Sequence, residues 1–474
     1  MFTDVTYQDW QQTARTAEDA RAIVRKYKAS TFFRAALDAD RYFRGENPTL
    51  DSKYLLRVRM TQREDDHGMV TRAAQQEEVV GNRISSSFLR RFVCQQNQYL
   101  LGNGVTFKDA AQKHMLGAGF DTALQMIGER ALLHGVSFGY WNYDHIEPLP
   151  AVVDEASGCC ALLDELTGEI GAAIQFWQMD GNRPLYLRIF EADGVAIYKE
   201  KNGRIEEVEP KRPYRLTVRL DALGETVTGG ENYAALPIVP LYANDEKQSE
   251  LTGSIKSKID AYDRILSDFG DNLDRANDVY WVLNNFGGST DQALQMIQEI
   301  QRLKIAMTVS DGTNSSSAEP QTIDVPYAAR QTALDLLEKA LYQDFMALSI
   351  NELTGGSLTN VAIQAATTNL NLKCDHYEWQ CFAFVQRVLA LLGIKSEEIR
   401  FKRQKITNLS ETVQDIYVMR GDIDRRTALK LNPYISQDEI DGILEALDAE
   451  EVSGLPDMKA LQKEIDRQQG GNAG

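Results

Sequence analysis

Long apolar runs are missing from this 474-residue chain: nowhere do eighteen or more apolar residues follow one another, which argues against a membrane-spanning helix. Basic residues are also scarce. The 51 Lys and Arg stand against 69 Asp and Glu, a net charge of −18, whereas a general grip on DNA needs an excess of cations to neutralise phosphates and release counterions. A chain of this charge that meets DNA is expected to let it pass. The five cysteines, at 94, 159, 160, 374 and 381, form no framework and suit a reducing compartment. Cys374 and Cys381 fall on one face of a helical pattern, and Cys374-Asp375-His376 offers metal donors. No second Cys or His pair accompanies them, so buried thiols are the better reading and no cofactor is expected. The opening Met1-Phe2-Thr3-Asp4-Val5 has neither a basic nor an apolar leader region, which makes a cytosolic setting the default.

Catalytic motifs are missing as well. There is no GxxxxGK[ST], HExxH or GxGxxG, and His67, His114, His134, His145 and His376 are scattered without ligand spacing. One literal GxSxG occurs, Gly135-Val136-Ser137-Phe138-Gly139. A nucleophile elbow needs a strand before the serine and a helix after it. Here Glu129–His134 reads as helix and Tyr140–Asp144 as strand, the reverse order. A small-residue turn is therefore expected, with a serine hydrolase using Ser137 kept as an alternative. The paired acids Asp65-Asp66 and Glu77-Glu78 read as solvated faces.

What is present is the composition of a folded protein, 43% hydrophobic and 25% charged, long enough for two to four parts. The fold class expected is α+β, mainly helical. Thr16–Lys28, Thr31–Arg44 and Arg83–Leu101 read as helices, with a charge-rich stretch between the second and third. From Gly135 the period shortens. Gly139–Tyr143, Ala173–Trp177, Leu185–Ile189 and Val195–Tyr198 read as strands, and Asn202-Gly203 marks a hairpin turn. Leu236–Asn244, with two prolines, closes this region. Arg400-Phe401-Lys402-Arg403 reads as one more strand, and capping-box spacing at Asn408–Glu411 and Ser436–Glu439 starts short helices. The tail Gln468–Gly474 is expected to be disordered.

The most informative stretch runs from Ser249 to Ile394. Over Ser254–Asp278, Ile255, Ile259, Tyr262, Ile265, Leu266, Phe269 and Leu273 recur at helical spacing. The other face carries Asp260, Asp263, Asp268, Asp271, Asp274 and Asp278 and is expected to be turned to water or another polyanion. Tyr327–Leu348 repeats the design with Leu337, Leu341 and Phe345 against Asp335, Glu338 and Asp344, so the two make a helical hairpin. Between them, Val279–Pro326 reads as a miniature α/β module: a strand Val279–Leu283, a helix Thr290–Leu303, a strand Ile305–Val309 and a polar tip Ser310–Ser317. After the hairpin come a Gly355-Gly356 loop, which suits either a mobile loop at a constriction or an ordinary helix-helix turn, and a long helix, Val361–Leu392.

Several fragments in this order resemble a known family. They are Tyr42-Phe43-Arg44-Gly45; Asn82-Arg83-Ile84 followed by Tyr99-Leu100-Leu101-Gly102; Ala131-Leu132-Leu133-His134-Gly135; Leu236-Pro237-Ile238-Val239-Pro240; and Asn244-Asp245-Glu246-Lys247-Gln248-Ser249. Ile259-Asp260-Ala261-Tyr262-Asp263 with Ser267-Asp268, and Gly421-Asp422-Ile423-Asp424 with Thr427 and Pro433, complete the set. Together they resemble the portal proteins of tailed bacteriophages, of the siphophage type (the SPP1 portal-like family), over roughly residues 35–450.

The resemblance implies a ring at one capsid vertex, usually dodecameric, through which double-stranded DNA enters and leaves without sequence preference. It implies the large terminase subunit, a head-completion or adaptor protein, and the major capsid and scaffolding proteins as partners, with no membrane. The protein would reside in the virion after assembly in the host cytoplasm. Residues 1–245 would form the wing, joined by a strand near 398–405. Residues 246–278 and 327–348 would be stem helices, 279–326 the clip, 349–360 the tunnel loop, 361–394 the spine helix, and 395–474 the crown and tail. Glu352, Thr354, Gly355, Gly356, Ser357, Leu358, Thr359 and Asn360 would then form the constriction. Asp335, Glu338, Lys339 and Asp344 are the implied stem residues toward the channel, and Gln298, Arg302, Asp311 and Asn314 the implied motor-docking positions. The loop departs from the common Asn-x-Ser-Gly order of that family. Another virion structural protein, such as a minor head protein, is the alternative without a channel.

Overall fold

A computed structural model describes residues 4–64, 70–221, 224–276, 280–284, 310–311, 314–315, 317–321, 327–349, 359–395, 398–404, 409–419, 422–432, 435 and 440–454. Helix and strand are mixed, and the chain divides into two compact units. The first comprises Met1–Ala347 and Leu372–Gln404, the second Leu348–Asn371 and Lys405–Gly474.

In the first unit, helices α1 (Tyr7–Gln11), α2 (Ala17–Ala29) and α3 (Thr31–Phe43) open the chain. Thr6 and Thr16 close capping boxes with Asp9 and Asp19, which satisfies amides that the first turn of a helix leaves unpaired. The charge-rich stretch that follows is a hairpin, β1 (Tyr54–Glu64) with β2 (Val70–Val80), in unbroken antiparallel register from Tyr54 opposite Val80 to Glu64 opposite Val70. Helix α4 (Phe88–Leu101) starts five residues later than Arg83, because residues 82–86 run extended. Then come β3 (Val105–Phe107), α5 (Ala110–His114) and α6 (Phe120–His134).

Two sheets follow. Strands β4 (Val136–Asn142) and β5 (His145–Pro150) join β14 (Ile238–Tyr242) in the order β14-β4-β5. A six-stranded antiparallel meander is built from β6 (Val152–Asp154), β7 (Ser157–Leu163), β8 (Ile170–Trp177), β9 (Leu185–Glu191), β10 (Gly194–Lys201) and β11 (Arg204–Arg212). The β10–β11 turn uses positive φ at both Asn202 (54°) and Gly203 (78°), the geometry that matches strand twist. A further hairpin pairs β12 (Arg215–Asp221) with β13 (Gly224–Glu231). One core cluster joins α4, α6 and β4 to the long helices introduced below; in it the rings of Phe92 and Phe345 stack at 4.6 Å. A second packs Trp10, Val24, Tyr27 and Phe33 against Phe176 and Ile189 of the meander.

Helix α7 (Gly253–Ala276) and helix α8 (Tyr327–Phe345) run antiparallel: Ser254 and Lys258 meet Asp344 at one end, and Phe269 meets Tyr327 at the other. Of the insert between them, β15 (Tyr280–Asn284) pairs with β18 (Ser317–Gln321), and β16 (Ser310–Asp311) with β17 (Asn314–Ser315). The expected helix Thr290–Leu303 and strand Ile305–Val309 lie outside the described residues. Helix α9 (Asn360–Leu391) passes from the second unit into the first, and β19 (Ile399–Phe401) pairs with β3. The second unit also holds α10 (Leu409–Met419), α11 (Arg425–Leu431), which the sequence did not announce, and α12 (Ile440–Gly454). Among the described residues no helix is long and apolar enough to cross a membrane.

Candidate functional site: the helical hairpin and its seams

Three acids of α7, Asp260, Asp263 and Asp271, are turned into the protein rather than, as the sequence suggests, to water, while Asp268 is exposed. Tyr42 Oη donates to Asp260, Asn47 Nδ2 donates to Asp263 Oδ2 at 2.9 Å, and the Ser86 amide donates to Asp263 Oδ1 at 2.9 Å. The Ile84 amide donates to Ser267 Oγ at 3.0 Å and the Asn82 amide to Asp271 Oδ1 at 2.7 Å. Positions 260, 263, 267 and 271 form one stripe of the helix. Amides two residues apart on an extended chain are about 6.6 Å apart, close to the rise of about 6 Å over four helical residues, so residues 82, 84 and 86 climb the stripe in step. The side chains of α7 thereby serve the backbone of 82–86 as a neighbouring strand would. Gly270 lets that strand lie close: a Cβ there would stand 3.2 Å from Asn82 Nδ2.

At the end of the seam, Lys53 Nζ lies 2.6 Å from Asp271 and 2.9 Å from Asp268. Burial alone would raise the Asp271 carboxyl, but Lys53 and the Asn82 amide outweigh it and hold it below its ordinary value. At Asp263 burial wins over the bonds from Asn47 and Ser86, and the carboxyl is raised. Because the folded chain keeps Asp271 the stronger acid, the unfolded chain binds more protons as pH falls below the ordinary carboxylate value. The stability from this pair is full above that value and is lost on acidification through the folded one. Urea titrations from about pH 5 to about pH 3 are therefore expected to show a steeper loss in wild type than in Lys53→Met, in which Asp263 is retained.

A second seam gathers other fragments that carry the family resemblance. The Ala243 amide donates to Gly135 O at 3.0 Å, Ser249 Oγ to Leu133 O at 2.6 Å, and the Glu250 amide to Leu132 O at 2.9 Å. Gly135 ends α6 at φ 90°, and a Cβ there would stand 2.6 Å from Lys247 O, so a side chain is excluded on two counts. Beside this seam, Lys373 of α9 bonds Glu250 at 2.7 Å and the Phe345 carbonyl at 3.0 Å, with its ammonium 3.2 Å from the centre of the Phe345 ring. Burial lowers the Lys373 pKa, and Glu250 opposes the shift. Further along α9, Arg403 spans Asp375 and Glu378.

Of the residues expected toward the channel, Asp335 is exposed and accepts from Gln331 Nε2 at 2.9 Å, Lys339 is exposed and Glu338 half-buried. Asp344 is tied to Lys258 and accepts from Ser254 Oγ at 2.7 Å, which holds its carboxyl below the ordinary value. Glu352, Thr354, Gly355, Gly356, Ser357 and Leu358 of the expected constriction lie outside the described residues, as do Gln298 and Arg302 of the insert. Thr359 caps α9, its Oγ1 accepting from the Ala362 amide at 3.3 Å, and Asn360 is the first helical residue. Asp311 and Asn314 stand opposite each other in the β16–β17 register.

Ser137 is a buried residue of β4, opposite Pro150 and Leu241 and two residues past Gly135. A hydroxyl in the middle strand of a sheet, with no exposure, is not a nucleophile presented on an elbow. His134, three residues earlier, bonds Asp40 at 3.0 Å, and Arg130 bonds the same carboxylate at 2.6 Å. Among the described residues no group of three or more His, Cys, Asp and Glu is placed to hold a metal; Cys374 and Cys381 are buried thiols.

The sequence was compared with known proteins. The family model described as "Phage portal protein, SPP1 Gp6-like" matches residues 27–453. The portal protein of Clostridium phage phiCD119 is 25% identical over 223 residues, 45% of this chain and 49% of that protein, so the match spans about half of that relative. The portal protein of Bacillus phage SPP1 is 23% identical over 390 residues, 76% of this chain and 74% of that protein. The chain belongs to the phage portal protein family, SPP1 Gp6-like, a family of structural rather than enzymatic proteins.

Proposed function

We propose that the chain is one subunit of a cyclic ring, a dodecamer in the usual form, that sits at one capsid vertex and passes double-stranded DNA during packaging and ejection. The family match over residues 27–453 carries this reading. The large terminase subunit and later a head-completion protein dock on the clip, 279–326, with Gln298, Arg302, Asp311 and Asn314 as candidate contacts. The stem is 246–278 with 327–348, the tunnel loop 349–360 with Thr354–Asn360 at the constriction, the spine 361–394 and the crown 395–474. Capsid and scaffolding proteins surround the wing, 1–245.

Charge supports the reading. A surface along which DNA slides needs few uncompensated cations, since each fixed cation would hold a phosphate. Asp260, Asp263 and Asp271 of α7 are engaged within the chain, whereas α8 carries a row of exposed side chains that would face the lumen. Its exposed positions include Gln331, Thr332, Asp335, Leu336, Lys339 and Gln343, with Asp335 and Lys339 one turn apart and of opposite sign. Such a face has no net charge and offers DNA little to grip.

Electron microscopy of the purified full chain, class-averaged without imposed symmetry, is expected to show closed rings with an open centre, from which the subunit number is counted. Compact monomers at high concentration would refute the reading.

A further inference from the structure

One face of the meander carries two rows of side chains that its core does not claim. In the innermost row, Ala173, Phe190 and Val195 stand opposite one another on β8, β9 and β10 and are buried, with the Tyr140 ring 5.0 Å from that of Phe190. Two residues further along each strand the same face opens. Gln175, Arg188 and Ile197 form the second row and Trp177, Tyr186 and Lys199 the third, and all six are half-buried. The Trp177 and Tyr186 rings lie 9° from parallel with centres 5.3 Å apart, and the Arg188 guanidinium stands 5.7 Å from the centre of the Trp177 ring.

The charges of this face are paired except one. Lys199 meets Glu206 of β11 at 2.9 Å, and Arg212 meets Glu209 at 3.2 Å. Arg188 makes only ring contacts, with Trp177 and Phe190, and among the described residues no carboxylate pairs with it. Directly opposite it, Gln175 has a buried Oε1 that no donor among the described residues reaches. Met179, in the turn after Trp177, is 90% exposed. An uncommitted guanidinium, an uncommitted amide oxygen and a stacked pair of rings beside an exposed methionine have the composition of an interface centre rather than of plain surface.

We infer that this face is a docking surface for an extended acidic segment of another protein, one that sets a glutamate or aspartate beside an apolar residue. Arg188 takes the carboxylate, for which its planar fork of donors is suited. Gln175 Oε1 takes a backbone N–H of the segment, and the Trp177–Tyr186 pair takes the apolar neighbour. Charge selects this occupant. Glu206 and Glu209 flank the site on β11 and the whole chain carries −18, so a polyanion such as single-stranded nucleic acid meets repulsion along its length, whereas a single carboxylate needs only Arg188. The assignment goes beyond the portal reading and stands without it.

The probe is a pool of capped, fluorescein-labelled octapeptides with glutamate fixed at the centre and leucine, isoleucine, proline, phenylalanine or glycine at the other positions; a twin pool has glutamine at the centre. Fluorescence anisotropy on the full chain is expected to show the glutamate pool binding about tenfold more tightly than its twin, as a charge-assisted bond implies. Arg188→Met should abolish that difference, so that both pools bind the variant alike. Arg188→Lys keeps the charge and loses the fork, and is expected to fall between wild type and Arg188→Met. Tyr186→Ala should weaken both pools by the same factor, since it removes only the ring that stacks on Trp177. Equal binding of the two pools by wild type would overturn the assignment, as would a preference for glutamate that survives unchanged in Arg188→Met and Arg188→Lys. A decathymidylate that displaces the peptides, and does so only when Arg188 is present, would give the face to nucleic acid instead. Sedimentation closes the last route: if Arg188→Met forms smaller assemblies than wild type, the face is a contact between copies of this chain and the assignment fails.

Discussion

Replacing Lys373 with methionine is expected to destabilise the first unit by about 3–5 kcal/mol, the usual consequence of removing one partner from a buried ion pair. The side chains of Lys373 and Glu250 are 13% and 12% exposed, so the carboxylate left behind has little water to turn to. The Phe345 carbonyl loses its donor at the same stroke, and the Phe345 ring loses the cation above it. Methionine fills much of the lysine stem's space, which makes a cavity a minor part of the effect. A double-mutant cycle separates the charge from the packing: Glu250→Gln combined with Lys373→Met should recover most of the loss, because no unpaired charge is then buried. Urea midpoints of the four proteins are the measurement. A single variant within about 1 kcal/mol of wild type would show that the pair does not anchor α8 to α9.

The sequence makes the helical hairpin and the meander legible and their joints illegible, for identifiable reasons. Ile255, Ile259 and Tyr262 announce the buried face of α7 because apolar residues at helical spacing have few other uses. Asp263 is no less buried than they are, at 0% exposure. A carboxylate is counted as solvent-facing in any hydropathy pattern, and its partners are the amide of Ser86 and the side chain of Asn47, some 180 and 220 residues earlier. The same seam explains why α4 begins at Phe88: Arg83 fits the helical pattern, but the amides of 82, 84 and 86 are drawn off to α7. The run Ser85-Ser86-Ser87 was the available hint, since serine favours the residue just before a helix. The β1–β2 hairpin was hidden by its charges, although Leu56-Arg57-Val58-Arg59-Met60 alternates as a strand does. Lys373 had no signal at all, being one lysine on a long helix of mixed polar and apolar residues. The fragments that carry the family resemblance fared better than any single pattern. Tyr42, Asn82-Arg83-Ile84 and Ile259–Asp263 with Ser267 meet along one stripe of α7, and Leu132-Leu133-His134-Gly135 meets Ala243–Glu250. Their resemblance thus marks seams of the fold rather than a reactive centre.

Asp263→Ala is expected to cost about 2–5 kcal/mol, whereas Asp335→Ala on the facing helix should stay within about 0.5 kcal/mol of wild type. The contrast follows from what each carboxylate does. Asp263 satisfies two donors inside the protein, Asn47 Nδ2 and the Ser86 amide, both at 2.9 Å, and alanine would leave the first buried and the second part-buried without an acceptor. Asp335 is exposed, and its neighbour Gln331 can turn to water instead. Asp263→Asn keeps one acceptor oxygen and sets an amide group against the second donor, so it should fall between the two. Urea midpoints give the order, and exchange at the amides of 82–88 locates the damage, since the seam must open there before α7 unfolds. The functional consequence has the opposite order. Under the proposed stem assignment, a ring built from Asp335→Ala subunits should assemble normally and differ in how DNA moves through it, because that exposed carboxylate would face the lumen. Asp260, Asp263 and Asp271 of α7 are not spare. If Asp263→Ala proves as stable as wild type, the stripe on α7 is not a seam, and its charge returns to the candidates for the channel wall.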